Sequence, residues 1–181
     1  MAQREKTDAF DVLLSLQERC IKSAAGLPQQ KELRRPWSGI GFRVGKQNLV
    51  SAVGDVNEIL YLPQVTLIPG TKTWVKGMSN IRGNLMPILD LQDYLGTQPV
   101  NVSRHSRILV VNHLDLWAGL LVDEVYGLKH FHDDEKLTGK IKTTKHLAPY
   151  LINGFQQNDV PWYIFSMKAL TKTPEFLRVA V

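Results

Sequence analysis

The chain has little cysteine: Cys20 is the only one in 181 residues. An internal disulfide is excluded, and a lone thiol suits a reducing cytoplasm. No apolar run approaches the roughly 18 residues of a membrane-crossing helix, so direct membrane insertion is not expected. Met1 to Asp11 is polar and charged and lacks the apolar core of a secretory signal. The Asn101-Val102-Ser103 sequon is therefore read as chance. Glycine-rich phosphate cradles are missing, both Gly-x-Gly-x-x-Gly and the P-loop pattern. So is the Gly-x-Ser-x-Gly elbow of a serine hydrolase. No cofactor is expected.

Charge is also modest. The net charge is +5, with a pI of about 9.4. The basic residues fall into two small groups, Lys31 with Arg34 and Arg35, and Lys140 with Lys142 and Lys145. Neither group carries the interleaved aromatics on which a single-strand binder stacks bases, so no nucleic-acid partner is expected. An apolar content of 44% with 22% charged residues is that of an ordinary globular protein with a real core.

The spacing of Phe10, Leu13, Leu14, Ile21 and Ala24 predicts an amphipathic helix over Thr7 to Ala25, capped by Thr7 or Asp8 and stopped by Gly26 and Pro28. Cys20 shares a face with Leu13, Gln17 and Ala24 and reads as packed. Pro28 to Pro36 has linker composition. From Trp37 the texture changes to short strands and turns. Strands are expected at 37–44, 49–53, 56–62, 65–68, 78–82 and 85–89, with one helical turn at 74–77. Gly83-Asn84 reads as a hairpin turn, and Pro87 demotes its strand to an edge or a bulge. Asp90 to Leu95 reads as a short helix capped by Asp90 and ended by Gly96.

Further strands are expected at 107–112, 116–122, 125–131, 150–155 and 160–165. A loop is expected over Asp133 to Ala148, a short helix over Ser166 to Leu170, and a docked strand over Phe176 to Val181. Short strands at close spacing argue for β-barrels or sandwiches over βαβ units. The strands form two groups separated near residues 96–106, with no exact internal repeat.

Three candidate chemistries are weak. His130-Phe131-His132 places two imidazoles on one strand face ahead of Asp133, Asp134 and Glu135, but zinc needs three or four converging ligands. Cys20 has no activating motif beside it. Asp123 and Glu124 are adjacent, so a strand directs them to opposite faces. No catalytic residue and no metal ligand is assigned.

The distinctive segment is Lys76-Gly77-Met78-Ser79-Asn80-Ile81-Arg82-Gly83-Asn84-Leu85-Met86-Pro87-Ile88-Leu89-Asp90-Leu91. With Val56-Asn57-Glu58-Ile59, Leu67-Ile68-Pro69 and Gly119-Leu120-Leu121-Val122-Asp123-Glu124-Val125, it resembles the signature of the CheW family in family order. Trp37 to Arg43, Lys72 to Gly77 and the N-terminal helix narrow the likeness to the CheW-like adaptors of type IV pilus systems.

The resemblance implies a mainly β fold: two small SH3-like five-stranded barrel lobes with an N-terminal helix. Residues 1–36 would be helix and linker, and 37–181 the CheW-like domain with its lobes split near 96–106. It implies a non-catalytic cytoplasmic adaptor at receptor arrays on the inner-membrane face. Such an adaptor couples the tip of a methyl-accepting chemoreceptor to the CheW-like regulatory domain of a CheA-like histidine kinase, and so controls twitching motility. The implied docking residues are Val56, Glu58, Ile59 and Arg82, with an Arg82–Glu58 ion pair shaping the surface. Leu120, Val122 and Val125 are second-lobe candidates. The competing readings are a general chemotaxis coupling protein and, from another class, a metal-dependent enzyme using His130 and His132.

Overall fold

A computed structural model describes residues 9–23, 36–113, 116–139 and 143–180. The chain divides into two units, residues 1–34 and 35–181. In the first, α1 (Ala9–Ser23) has Asp11 in its first turn and Lys22 in its last, signs that suit the helix dipole. The expected capping and stop residues, Thr7, Asp8, Gly26 and Pro28, lie outside the described residues, as does nearly all of the linker. No residue of α1 is buried. Cys20 is exposed, which corrects the expectation that it packs.

The described residues of the second unit hold ten strands: β1 (Trp37–Val44), β2 (Gln47–Ala52), β3 (Glu58–Tyr61), β4 (Val75–Ile81), β5 (Asn84–Asp90), β6 (Arg107–His113), β7 (Leu116–Val122), β8 (Glu124–Phe131), β9 (Leu151–Gln157) and β10 (Val160–Phe165). They form two five-stranded sheets, ordered β8-β1-β2-β10-β9 and β3-β6-β7-β5-β4. The two orders are one topology used twice. Each has antiparallel junctions except the third, where β2 meets β10 and β7 meets β5 in parallel. In each, the segment leaving the first strand reaches the last strand through an isolated bridge, Thr66 to Met78 and Lys136 to Phe155. The sheets thereby curl toward closed barrels, which covers strand edges that would otherwise pair with other chains.

The division near residues 96–106 is not where the sheets divide. β6 and β7 complete the sheet begun by β3, β4 and β5, and the chain changes sheet after β2 and again after β7. Turn residues mark where a chain reverses. Which strands then pair is decided by distant partners.

Short helices follow matching strands. α2 (Leu91–Tyr94) is capped by Asp90, whose carboxylate accepts from the Asp93 N–H, and Gly96 follows at φ 71°. α3 (Met167–Thr171) is capped by Ser166. Among the described residues of the loop over 133–148, helical structure is limited to 3-10 turns at 133–135 and 148–150.

Four local expectations need correction. Trp74 to Gly77 is not helical, because Val75 already begins β4. Val65 to Ile68 reduces to the Thr66 bridge. Pro87 lies on an interior strand, but β5 pairs with β7 only from Ile88 onward. On the other side its partner Met78 exchanges both backbone bonds with Thr66, so no ladder bond asks for the missing N–H. The tail is not a strand: α4 (Pro174–Leu177) forms, and only Ala180 bridges to Thr71, with Val181 outside the described residues.

Strand alternation distributes side chains over three cores. Ile108 and Val110 of β6 enter a cluster inside the second sheet, while Leu109 and Val111 point the other way. Val50, Phe131, Phe155 and Trp162 fill the first sheet. Between the sheets lies a larger shared layer, with Phe42, Leu49, Leu109, Leu120 and Phe165 at its centre. Phe176 of α4 is buried there, stacked on Trp74 at 5.7 Å and edge-on to Tyr94 at 5.0 Å. Phe176→Ala should lower unfolding free energy by about 3–5 kcal/mol in urea titration. A loss below about 1 kcal/mol would show that the tail is only laid on the surface.

Candidate functional site

The β4–β5 hairpin turns through Arg82 and Gly83, not Gly83 and Asn84. Both have positive φ, 53° and 87°, as a two-residue primed turn requires. Asn80 steadies the turn by accepting from the Gly83 N–H at 2.8 Å. The left-handed backbone at Arg82 costs on the order of 1 kcal/mol and fixes where its side chain leaves the turn.

Arg82 donates through one guanidinium nitrogen to Glu58, the first residue of β3. β3 and β4 are the two margins of their sheet, so this pair ties the margins across the barrel's closure. The Arg82 side chain is 76% exposed and that of Glu58 32%. An exposed pair of this kind is worth at most about 1 kcal/mol, so its use is to orient charge at the surface.

The rest of the Val56 segment is pinned beside it. The Asn57 N–H donates to the Val110 carbonyl at 2.9 Å, and the Asn57 side chain accepts from the Asn112 N–H at 3.0 Å. Val56 is half-buried on the shared layer, and Ile59 is 39% exposed. Val125 and Ile40 are half-buried on the same layer from the other sheet. The turn at 53–55 touches both β1 and β6, which places it at the seam between the sheets. Leu120 and Val122, by contrast, have no exposed surface and belong to the core. Both lie on β7, an interior strand, and cannot meet a partner.

Beside the Arg82 hairpin is an open hollow of about 610 Å³ lined by Pro63, Thr66, Ile68, Met78, Asn80 and Leu85. Leu67, Ile68 and Leu85 expose apolar surface around it.

Two aspartates of the signature hold the architecture. Asp90 is fully buried. It caps α2, accepts from the Val100 N–H at 3.0 Å and pairs with Lys76 at 3.1 Å. Asp123 sits where the chain crosses between sheets and accepts from the Gly45 N–H at 2.6 Å, while Gln92 accepts from the same N–H at 3.0 Å. Sequence reasoning found the cap of Asp90 but not the crossing role of Asp123, although the Val-Asp-x-Val pattern contains it. Burial, and the Tyr150 hydroxyl bonded at 2.8 Å, push the Tyr94 hydroxyl above its ordinary range.

The histidines do not converge. His130 shares a hydrogen bond with Ser38 at 2.7 Å, and His132 lies past the end of β8, where its N–H donates to Glu135 at 2.7 Å. Among the described residues no three histidine, cysteine, aspartate or glutamate side chains group as a metal set.

An exposed ion pair, an apolar seam and an open hollow thus lie on the strands and turns of the two sheets. Comparison with known proteins gives the family. The CheW-like domain pattern matches residues 38–175. The protein PilI of Pseudomonas aeruginosa is 45% identical over 95% of this chain and 96% of its own. The chemotaxis protein CheW of Helicobacter pylori is 30% identical over 62% of this chain and 68% of its own. The scaffolding protein TtCheW of Thermoanaerobacter tengcongensis shares the fold, with a TM-score of 0.65 at 23% identity over 77% of this chain and 94% of its own. This chain belongs to the CheW-like domain family, whose members are non-catalytic adaptors.

Two substitutions separate surface from scaffold. Asp90→Ala removes the fully buried carboxylate that caps α2, accepts from the Val100 N–H and pairs with the part-exposed Lys76, and should cost about 3–5 kcal/mol in denaturant unfolding. Arg82→Ala should change stability by no more than about 1 kcal/mol. Equal losses in the two variants would contradict the division.

Proposed function

We propose that this chain couples a methyl-accepting chemoreceptor to a CheA-like histidine kinase in the chemosensory system that controls type IV pilus twitching motility. It does so in the cytoplasm, at receptor arrays on the inner-membrane face. The observation that carries this is the likeness to PilI, which leaves out only about a twentieth of the chain and so takes in most of the N-terminal helix. The lone cysteine is consistent with a reducing compartment, and among the described residues no helix is long and apolar enough to cross a membrane.

The kinase's regulatory domain docks on the second sheet, where Arg82 and Glu58 set charge beside the apolar hollow. The receptor tip takes the seam, where Val56, Ile59 and Val125 offer apolar contact from both sheets. Such an interface has an apolar centre and a polar rim and needs no reactive group. The relatives named as chemotaxis proteins support a second reading, a general coupling protein for chemotaxis arrays. The match to the Helicobacter protein covers 62% of this chain, against 95% for PilI, which favours the pilus system.

Calorimetry with the pilus-system kinase's regulatory domain tests the kinase half. Wild type should bind saturably, a folded Arg82→Ala should bind at least about tenfold more weakly, equivalent to ~1.4 kcal/mol, and the exchange Arg82→Glu with Glu58→Arg should recover part of the loss. No wild-type binding would remove the kinase assignment, and an exchange variant no better than Arg82→Ala would remove the role given to the pair. Val56→Asp should weaken a receptor-tip peptide while sparing the kinase domain; loss of both would place the two partners on one surface.

A further inference from the structure

A second concavity lies where the β1–β2 turn, α2 and residues 144–147 meet. It holds about 330 Å³, within the range of sites that bury a small ligand or a side chain. Val44, Leu95 and Leu147 make an apolar floor. The rim is built of amides and hydroxyls, from Gln47, Gln92, Gln98 and Thr144. Gln92 accepts from the Gly45 N–H, which leaves both its amide hydrogens available. The side chains of Gln47, Gln98 and Thr144 have no hydrogen-bond partner among the described residues. Among the described lining residues Lys46 is the one charged side chain, it is exposed, and none is a carboxylate.

This chemistry suits a peptide. A primary amide presents a donor and an acceptor together, the same two groups that main chain must satisfy. A floor of three aliphatic side chains takes one apolar residue, and an unpaired lysine at the lip favours an acidic neighbour. We propose that the hollow is a peptide-docking site. It binds an extended segment of a partner protein with one apolar side chain on the floor, main chain across the glutamines and an acidic side chain beside Lys46.

The site is distinct from the seam turn and from the Arg82 hairpin. It lies at the turn end of the β1–β2 hairpin, whereas the seam turn at 53–55 follows the other end. Eight residues at ~3.3 Å each separate them by roughly 25 Å. A peptide here leaves the seam turn, Val56, Ile59 and the Arg82 hairpin open; Val125, which pairs with Phe42, is the seam residue nearest the hollow, and the proposal does not depend on what those surfaces bind.

Selection of a random heptapeptide phage library on the full chain tests it, followed by anisotropy with the selected peptides. Recovered peptides should share an apolar residue within two positions of Asp or Glu. Binding should be abolished by Gln98→Trp, which fills the rim, weakened about fivefold by Lys46→Glu, and unchanged by Arg82→Ala, all three variants showing wild-type circular dichroism. Gln98 and Lys46 are both exposed, so neither change disturbs the core. Failure to recover a consensus, peptides that bind Gln98→Trp as well as wild type, or binding indifferent to Lys46→Glu would each overturn the proposal.

Discussion

The apolar layer between the two sheets is the constraint on which the rest of the structure depends. Twenty buried residues among those described belong to it, against six inside the second sheet and four inside the first. Small barrels bury too little surface to be stable alone, and here each gives one face of its strands to the other. β6 shows the arrangement most clearly, sending Ile108 and Val110 to one core and Leu109 and Val111 to another. The chain reinforces the layer by crossing it. The first sheet is made of strands from both ends of the unit, with the other five strands between them in sequence, and Phe176 returns from beyond β10 to pack against Trp74 and Tyr94. The seam, where Val56 and Val125 rest on this layer, can hold a defined shape only because the layer fixes one sheet against the other.

Much of this was legible in the sequence where the physics is local. Asp90 with Gly96 marked a helix of barely one turn, and the ten strands stood out as apolar runs between turn residues. The Arg82–Glu58 pair followed from the family resemblance, and the structure brings the two together. What escaped was non-local. The gap near residues 96–106 looked like a boundary, yet β5 and β7 on either side of it run side by side. The duplication of topology leaves no exact sequence repeat, because different residues fill equivalent places: Arg82-Gly83 and Asn158-Asp159 both supply the positive φ of a hairpin turn. Leu120 and Val122 sat in a signature segment and were read as contact candidates. A signature keeps core and surface residues alike, and only pairing on both flanks of β7 shows these two to be core.

The same fold accounts for function without chemistry. Strands held from both faces keep docking groups in place, and the groups themselves are modest: an exposed ion pair, a few half-buried aliphatic side chains and a hollow beside a hairpin. Their energies are small one by one, so affinity must come from shape and burial on association. Under the proposed assignment, kinase docking on the second sheet and receptor docking at the seam between the sheets would let this one unit hold two partners in a fixed relation, which is what coupling requires.

That claim is tested most directly by sedimentation velocity on a mixture of the full chain, the pilus-system kinase's regulatory domain and a receptor cytoplasmic fragment, compared with each pair alone. The account predicts a boundary heavier than either binary complex, containing all three components. If receptor and kinase domain instead displace one another, leaving only binary species, the two surfaces are one and the chain does not bridge them.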